Sequence, residues 1–148
     1  MAELFLMTSG HPYWKETISL AENCSWKAGP FLAKKMKENQ FLSWERVCAA
    51  RVDEKIVGFC VFSEKDELPD GYMFTPFIGF VFVSEAYRGK RLSESMIRAV
   101  IPYARELGFH NIYLMSGEVG LYEKYGFMKL GDYPTIYDSV DQLFTLVI

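Results

Sequence analysis

The stretch Pro76–Val83 is almost unbroken apolar sequence, and a run of that kind, in place of alternation, is what a strand covered on both faces requires. The chain is thereby constrained to a sheet with helices on either side, and this strand should be central. It leads through a polar, basic turn around Gly89 into Arg91–Leu107, where Leu92, Met96, Ala99, Val100, Tyr103 and Leu107 recur on one helical stripe that ends at Gly108. That helix should pack on the sheet. Pro102 is discordant within it. An interior proline removes a backbone hydrogen bond at a cost of about 3 kcal/mol, so a kink or a broken last turn is expected.

The rest of the chain completes the layers. Glu3–Thr8 reads as an opening strand, and Ser9–Pro12 breaks it with turn chemistry. Trp14, Ile18 and Ala21 mark one face of a first helix. Gly29-Pro30 is read as its stop, with Phe31–Asn39 a second short helix. From Trp44 to Phe62 two strands rich in Val, Ala, Ile, Phe and Cys flank the tight polar turn Val52–Lys55. Ser63–Tyr72 is a loop, Asn111–Met115 a strand, Val119–Tyr125 a short helix, and Phe127–Tyr133 and Leu143–Ile148 are closing strands. No repeat or linker divides the chain, so one domain over residues 1–148 is expected.

Composition narrows function. At 148 residues, half of them hydrophobic, the chain is long enough to bury a substantial core. A net charge of −3 argues against a nucleic-acid binder, which needs a net basic face. No apolar run is long enough to span a membrane, and Met1–Gly10 lacks the basic start of a signal peptide, so a cytoplasmic protein is expected. Cys24, Cys48 and Cys60 have no CxxC spacing and read as reduced thiols; His11 and His110 lack a second ligand at helical spacing, so no metal is expected.

The chemistry lies in the passage from strand to helix, Val81-Phe82-Val83 through Arg88-Gly89-Lys90-Arg91-Leu92-Ser93-Glu94. The first amide N–H groups of a helix have no intrahelical partner, and the positive end of its dipole lies there. Arg88, Lys90 and Arg91 add charge to the same turn, and arginine meets phosphate with two parallel bonds. Such a turn suits the pyrophosphate of a nucleotide-like cofactor. About thirty residues on comes Leu121-Tyr-Glu-Lys-Tyr-Gly-Phe127, a short helix breaking at a glycine into a strand.

Together the two segments resemble motifs A and B of the GNAT superfamily of N-acetyltransferases, over roughly residues 44–133. The resemblance implies an α+β, three-layer fold, with a mixed, mostly antiparallel central sheet of six or seven strands and about four helices. It implies acetyl-coenzyme A as acetyl donor and a primary amine, of a small molecule or peptide, as acceptor. Val81, Phe82 and Val83 would pair with the pantetheine arm, Arg88 to Glu94 would hold the pyrophosphate, and Tyr122 would protonate the departing thiolate. A phenol, with its ordinary pKa of about 10, is protonated at neutral pH and can donate. Gly79 marks a bulge or a close backbone approach in the strand.

Arg91 and Ser93 stand where the family usually has glycine and a second small residue, which would alter the site without removing it. The strand Thr75–Val83 has no carboxylate to serve as general base, so water or a distant carboxylate, with Glu64 and Glu118 as candidates, would have to serve. The acceptor is expected against the first helices and the 64–74 loop, where Trp14, Trp26, Phe31, Tyr72 and Phe74 offer aromatic surface. Glu64, Asp66, Glu67 and Asp70 offer negative charge there. Two other functions fit less well: a catalytically degenerate acyl-coenzyme A sensor or scaffold, and a cofactor-free interaction domain. A homodimer is compatible with everything above.

Overall fold

The computed structural model describes residues 2–148. Its strands are β1 (Glu3–Met7), β2 (Arg46–Val52), β3 (Lys55–Ser63), β4 (Phe77–Val83), β5 (Asn111–Ser116), β6 (Met128–Pro134) and β7 (Val140–Val147). Its helices are α1 (Trp14–Asn23), α2 (Gly29–Lys37), α3 (Leu92–Glu106) and α4 (Leu121–Lys124). The seven strands form one sheet in the order β1-β2-β3-β4-β5-β7-β6. All pairs are antiparallel except β4 with β5. The expected α+β architecture is the one observed.

The two-residue period of the strands divides the core into two layers. On β2 and β3, Cys48, Ala50, Cys60 and Phe62 face α3 and meet Met96, Ile97, Val100 and Ala104. Val47, Ala49, Phe59 and Val61 face the other way and meet Trp14 and Ala21 of α1 and Leu32 and Met36 of α2. The hairpin that sets this register turns at Asp53 (φ 51°) and Glu54 (φ 64°), the left-handed pair of a two-residue type I′ connection. β4 lies fourth of the seven strands, covered on both faces, as its apolar run demands.

Two sequence expectations are corrected. Gly29-Pro30 does not stop α1, which ends at Asn23; it opens α2, because a proline in the first turn forfeits no helical bond. Gly29 is also where the two helices touch, since a Cβ there would stand 2.3 Å from the Ala21 carbonyl oxygen. The last turn of α3 is not broken at Pro102: the helix continues to Glu106. Pro102 and Arg98, whose carbonyl loses its partner, are both exposed, so the lost bond falls on the solvent side of the helix.

Candidate active site

β4 and β5 pair at one position, Phe77 with Tyr113, and then part. Beyond that point each strand is held only from its outer side, β4 by β3 and β5 by β7. The parting opens a cleft of about 990 Å³ between Val81–Val83 on one wall and Ser116–Glu118 on the other, with Trp26, Arg91 and Tyr122 among its lining.

A bulge on β4 prepares this wall. Val61 stands opposite Gly79 and Phe59 opposite Phe82, so β4 carries one residue more than β3 across the interval. Phe80 absorbs the extra residue at φ 50°, a conformation bulky side chains rarely adopt, at a cost on the order of 1–3 kcal/mol. Aromatic packing holds it there: Trp26 meets Phe80 edge-on at 6.3 Å and stacks on Phe82 at 5.8 Å, and Phe82 stacks on Phe59 at 5.2 Å. The bulge thus lies beside the segment that faces the cleft.

At the wide end the cleft meets the start of α3. The first helical bond runs from Ser95 N–H to the Arg91 carbonyl, and no side chain caps the helix, so the amides of Leu92, Ser93 and Glu94 have no partner within it. Gly89 (φ 83°) turns the chain toward the helix with open space where a side chain would be. Arg91 adopts φ 56°, the left-handed conformation glycine adopts freely, which gives a physical reason for glycine at that motif position. Its guanidinium bonds Glu94 Oε1 at 2.6 Å and lies over the Tyr125 ring at 5.4 Å, along the helix. Ser93 Oγ lies 2.8 Å from Tyr125 Oη, and Arg98 donates to the Tyr125 carbonyl at 2.7 Å. The two residues that depart from the motif are thus absorbed into a bracket joining α3 to α4.

Of the residues the sequence singled out, Val81, Phe82, Val83, Arg88, Gly89, Arg91, Leu92, Ser93 and Tyr122 all line the cleft. Lys90 is exposed outside the lining, and Glu94 is turned to Arg91 and Arg98. Arg88 donates from Nε to the Val83 carbonyl at 2.8 Å, which stiffens the turn and places a cation by the Phe82 ring.

Tyr122 reaches the cleft through its position at the start of α4, which Gly120 (φ 85°) initiates and Gly126 (φ 97°) closes. The residue is 5% exposed, its ring packed edge-on against Tyr125 and Phe127, each at 5.9 Å. Burial, then the charges of Cys60, Glu118 and Tyr125, hold its hydroxyl well above the usual phenol range, opposed by hydrogen bonding with Ser116. It therefore stays protonated throughout the physiological range.

The acceptor-side residues divide. Trp14 is buried against Phe41, Phe31 is 66% exposed on α2, and Glu64 and Glu118 are both exposed. Trp26 lines the cleft, while Tyr72 and Phe74 form an aromatic group with Tyr133. Sequence reasoning missed Asp141, because nothing in the sequence places β7 beside the 64–74 loop. It lies next to Glu67, and both carboxyls stand close to Asp66. Glu67 is tied to the chain before β7 by the Ile136 N–H, which donates to its carbonyl at 2.8 Å.

A family model described as the acetyltransferase (GNAT) family matches residues 13–127. No curated protein matches the sequence. Among solved structures, the chain resembles aminoglycoside 6'-acetyltransferase type Ii, at 17% identity over 98% of this chain and 96% of that one, with a TM-score of 0.75. It resembles an aminoglycoside 6'-N-acetyltransferase complexed with coenzyme A, at 14% identity over 98% and 96% of the chains, TM-score 0.72. A GNAT family acetyltransferase from Elizabethkingia anophelis with acetyl-CoA bound is 17% identical over 99% and 98%, TM-score 0.66. At these identities the likeness is one of fold.

Proposed function

The chain belongs to the GNAT acetyltransferase family, whose acetyl donor is acetyl-coenzyme A, and from that premise we propose that it acetylates a primary amine by direct attack on the thioester with Tyr122 as general acid. The observation that carries the reading is the cleft itself. Unpartnered helix amides lie at one end, a parted strand forms one wall, and a buried, protonated phenol faces it.

The residues present fit the donor. The amides of Leu92, Ser93 and Glu94, with Gly89 leaving the approach open and Arg88 adding charge, suit the pyrophosphate. Val81, Phe82 and Val83 offer strand backbone without a ladder partner on the β5 side, which suits the amide groups of the pantetheine arm. When bound, the donor supplies an activated acetyl thioester. Tyr122 holds the proton that the departing sulfur needs, and the surrounding Phe127 and Phe144 rings keep water from replacing it.

The experiment has two parts. Acetyl-coenzyme A at a hundred times its Kd should stabilise the fold by about 2.7 kcal/mol. A panel of primary amines should then release free thiol. Stabilisation without release on any amine would favour a sensor; no stabilisation at all would refute the assignment of the cleft.

A further inference from the structure

Trp26 is the one aromatic residue in the connection between α1 and α2, and three rings hold it in place. It stacks on Phe82 at 5.8 Å with the planes 8° apart, meets Phe80 edge-on at 6.3 Å, and lies 6.3 Å from Phe59. All three belong to the apolar layer on the α1 and α2 side of the sheet. Trp26 is nevertheless only partly buried, and with its neighbour Ser25 it lines the cleft. Packing accounts for the rigidity of the ring. Its remaining surface is a fixed wall that a molecule in the cleft would meet.

The strands fix where that wall stands. Counting from the one β4–β5 pair, Phe77 with Tyr113, the third residue along each strand is Phe80 on β4 and Ser116 on β5. Trp26 lies against Phe80, and the Tyr122 hydroxyl is within hydrogen-bonding reach of Ser116, so the two side chains come to the cleft at the same depth. They come from opposite faces of the sheet. Tyr122 belongs to the core on the α3 side, whereas Trp26 packs on the α1 and α2 side. Between them β4 and β5 are parted and share no ladder.

We propose that Trp26 sets the length of the acyl chain this cleft accepts, closing it to donors longer than the acetyl thioester. This rests on the acetyl-transfer reading above. A thioester carbon carries sulfur on one side and its alkyl chain on the other. A donor whose sulfur lies against Tyr122 on the α3 side therefore directs that chain toward the opposite face, where the indole stands. An acetyl chain ends at its methyl group, and each further methylene extends toward the ring. The ring cannot turn aside without leaving Phe82 and withdrawing the support of Phe80, which is held at φ 50°. The limit is thus steric, a clash built against longer chains, and Trp26 is a specificity-determining residue for the donor.

The test is calorimetric titration of the full chain with coenzyme A and with its acetyl, propionyl and butyryl thioesters, which requires no amine. The native protein should bind the butyryl thioester at least about tenfold more weakly than the acetyl thioester. Trp26→Ala, which removes the ring, should bring the two within about threefold or reverse their order. A loosened fold would weaken every titrant alike, coenzyme A included, so the ratio alone reads the wall. Trp26→Phe keeps a smaller ring on Phe82 and should narrow the propionyl-to-acetyl ratio, which decides the matter if the alanine variant does not fold. Equal binding of acetyl and butyryl thioesters by the native protein would overturn the inference. So would a native butyryl-to-acetyl ratio in Trp26→Ala or, should that variant not fold, a native propionyl-to-acetyl ratio in Trp26→Phe. Failure of the native protein to bind coenzyme A itself would refute the donor site and this inference together, whereas binding coenzyme A with no preference among chains would overturn this inference alone.

Discussion

Replacing Asp66 by asparagine isolates the cost of burying one carboxylate from everything else that titrates in this protein. In the open chain the group ionises near 3.8, in the fold at about 7, because removal from water outweighs the backbone hydrogen bond and the Lys35 charge that oppose it. Between those values the native state keeps a proton that the unfolded state has lost. Stability therefore falls as pH rises through this window, is full below about 4, and levels off above about 7. The interval corresponds to about 4 kcal/mol at about 1.4 kcal/mol per pH unit, and partial contact of residue 66 with water lowers the working figure toward about 2. The assay is urea unfolding of native protein and Asp66→Asn from about pH 4 to pH 9, compared at each pH so that other groups cancel. The native protein should lose about 2–4 kcal/mol relative to the variant across the series. Glu67 ionises at about 8 in the native protein, partly because of the Asp66 charge, so its own transition should move lower in the variant. A difference that stays flat within about 0.5 kcal/mol would show that the Asp66 carboxyl is not withdrawn from water, and the account of its raised pKa would fall with it.

Other perturbations probe other parts of the argument. Tyr122→Phe removes the donor and keeps the ring packing, so kcat should fall by about 100-fold while unfolding free energy stays within about 1 kcal/mol; an unchanged kcat across pH would refute the acid role. Arg91→Gly relieves a left-handed arginine whose side chain points along α3, and titration should find the acetyl-coenzyme A Kd within about threefold of native. A larger loss would mean that the guanidinium holds phosphate directly. Gly29→Ala places a methyl group against the Ala21 carbonyl and the Cys24 thiol, and urea unfolding should show a loss of about 1–3 kcal/mol with no change in turnover.

Much of this protein is legible in its residues because the relevant signals are local. The two-residue alternation of β2 and β3, the doubly apolar run of β4 and the stripe on α3 each report which faces are covered, since burial acts on every residue of a periodic element. The strand-to-turn-to-helix passage around Gly89 is legible as well, because the helix amides at 92–94 are orphaned by chain geometry alone. Where sequence reasoning slipped, at Gly29-Pro30 and Pro102, one proline carried two meanings, and position in the helix and exposure decided between them.

The acidic cluster of Asp66, Glu67 and Asp141 was beyond that reach. Asp66 and Glu67 look like any solvated loop acids, and Asp141 is remote from them in sequence. They meet because β7 inserts between β5 and β6, which brings its first residues alongside the loop that follows β3. Their raised pKa values come from desolvation and from one another, and both causes depend on distances across chain segments that no local pattern encodes. The sequence by itself determined the layers and the turn that leads from β4 into α3; tertiary packing alone decided which carboxylates stand together away from water, because the electrostatics of withdrawn groups depends on neighbours in space.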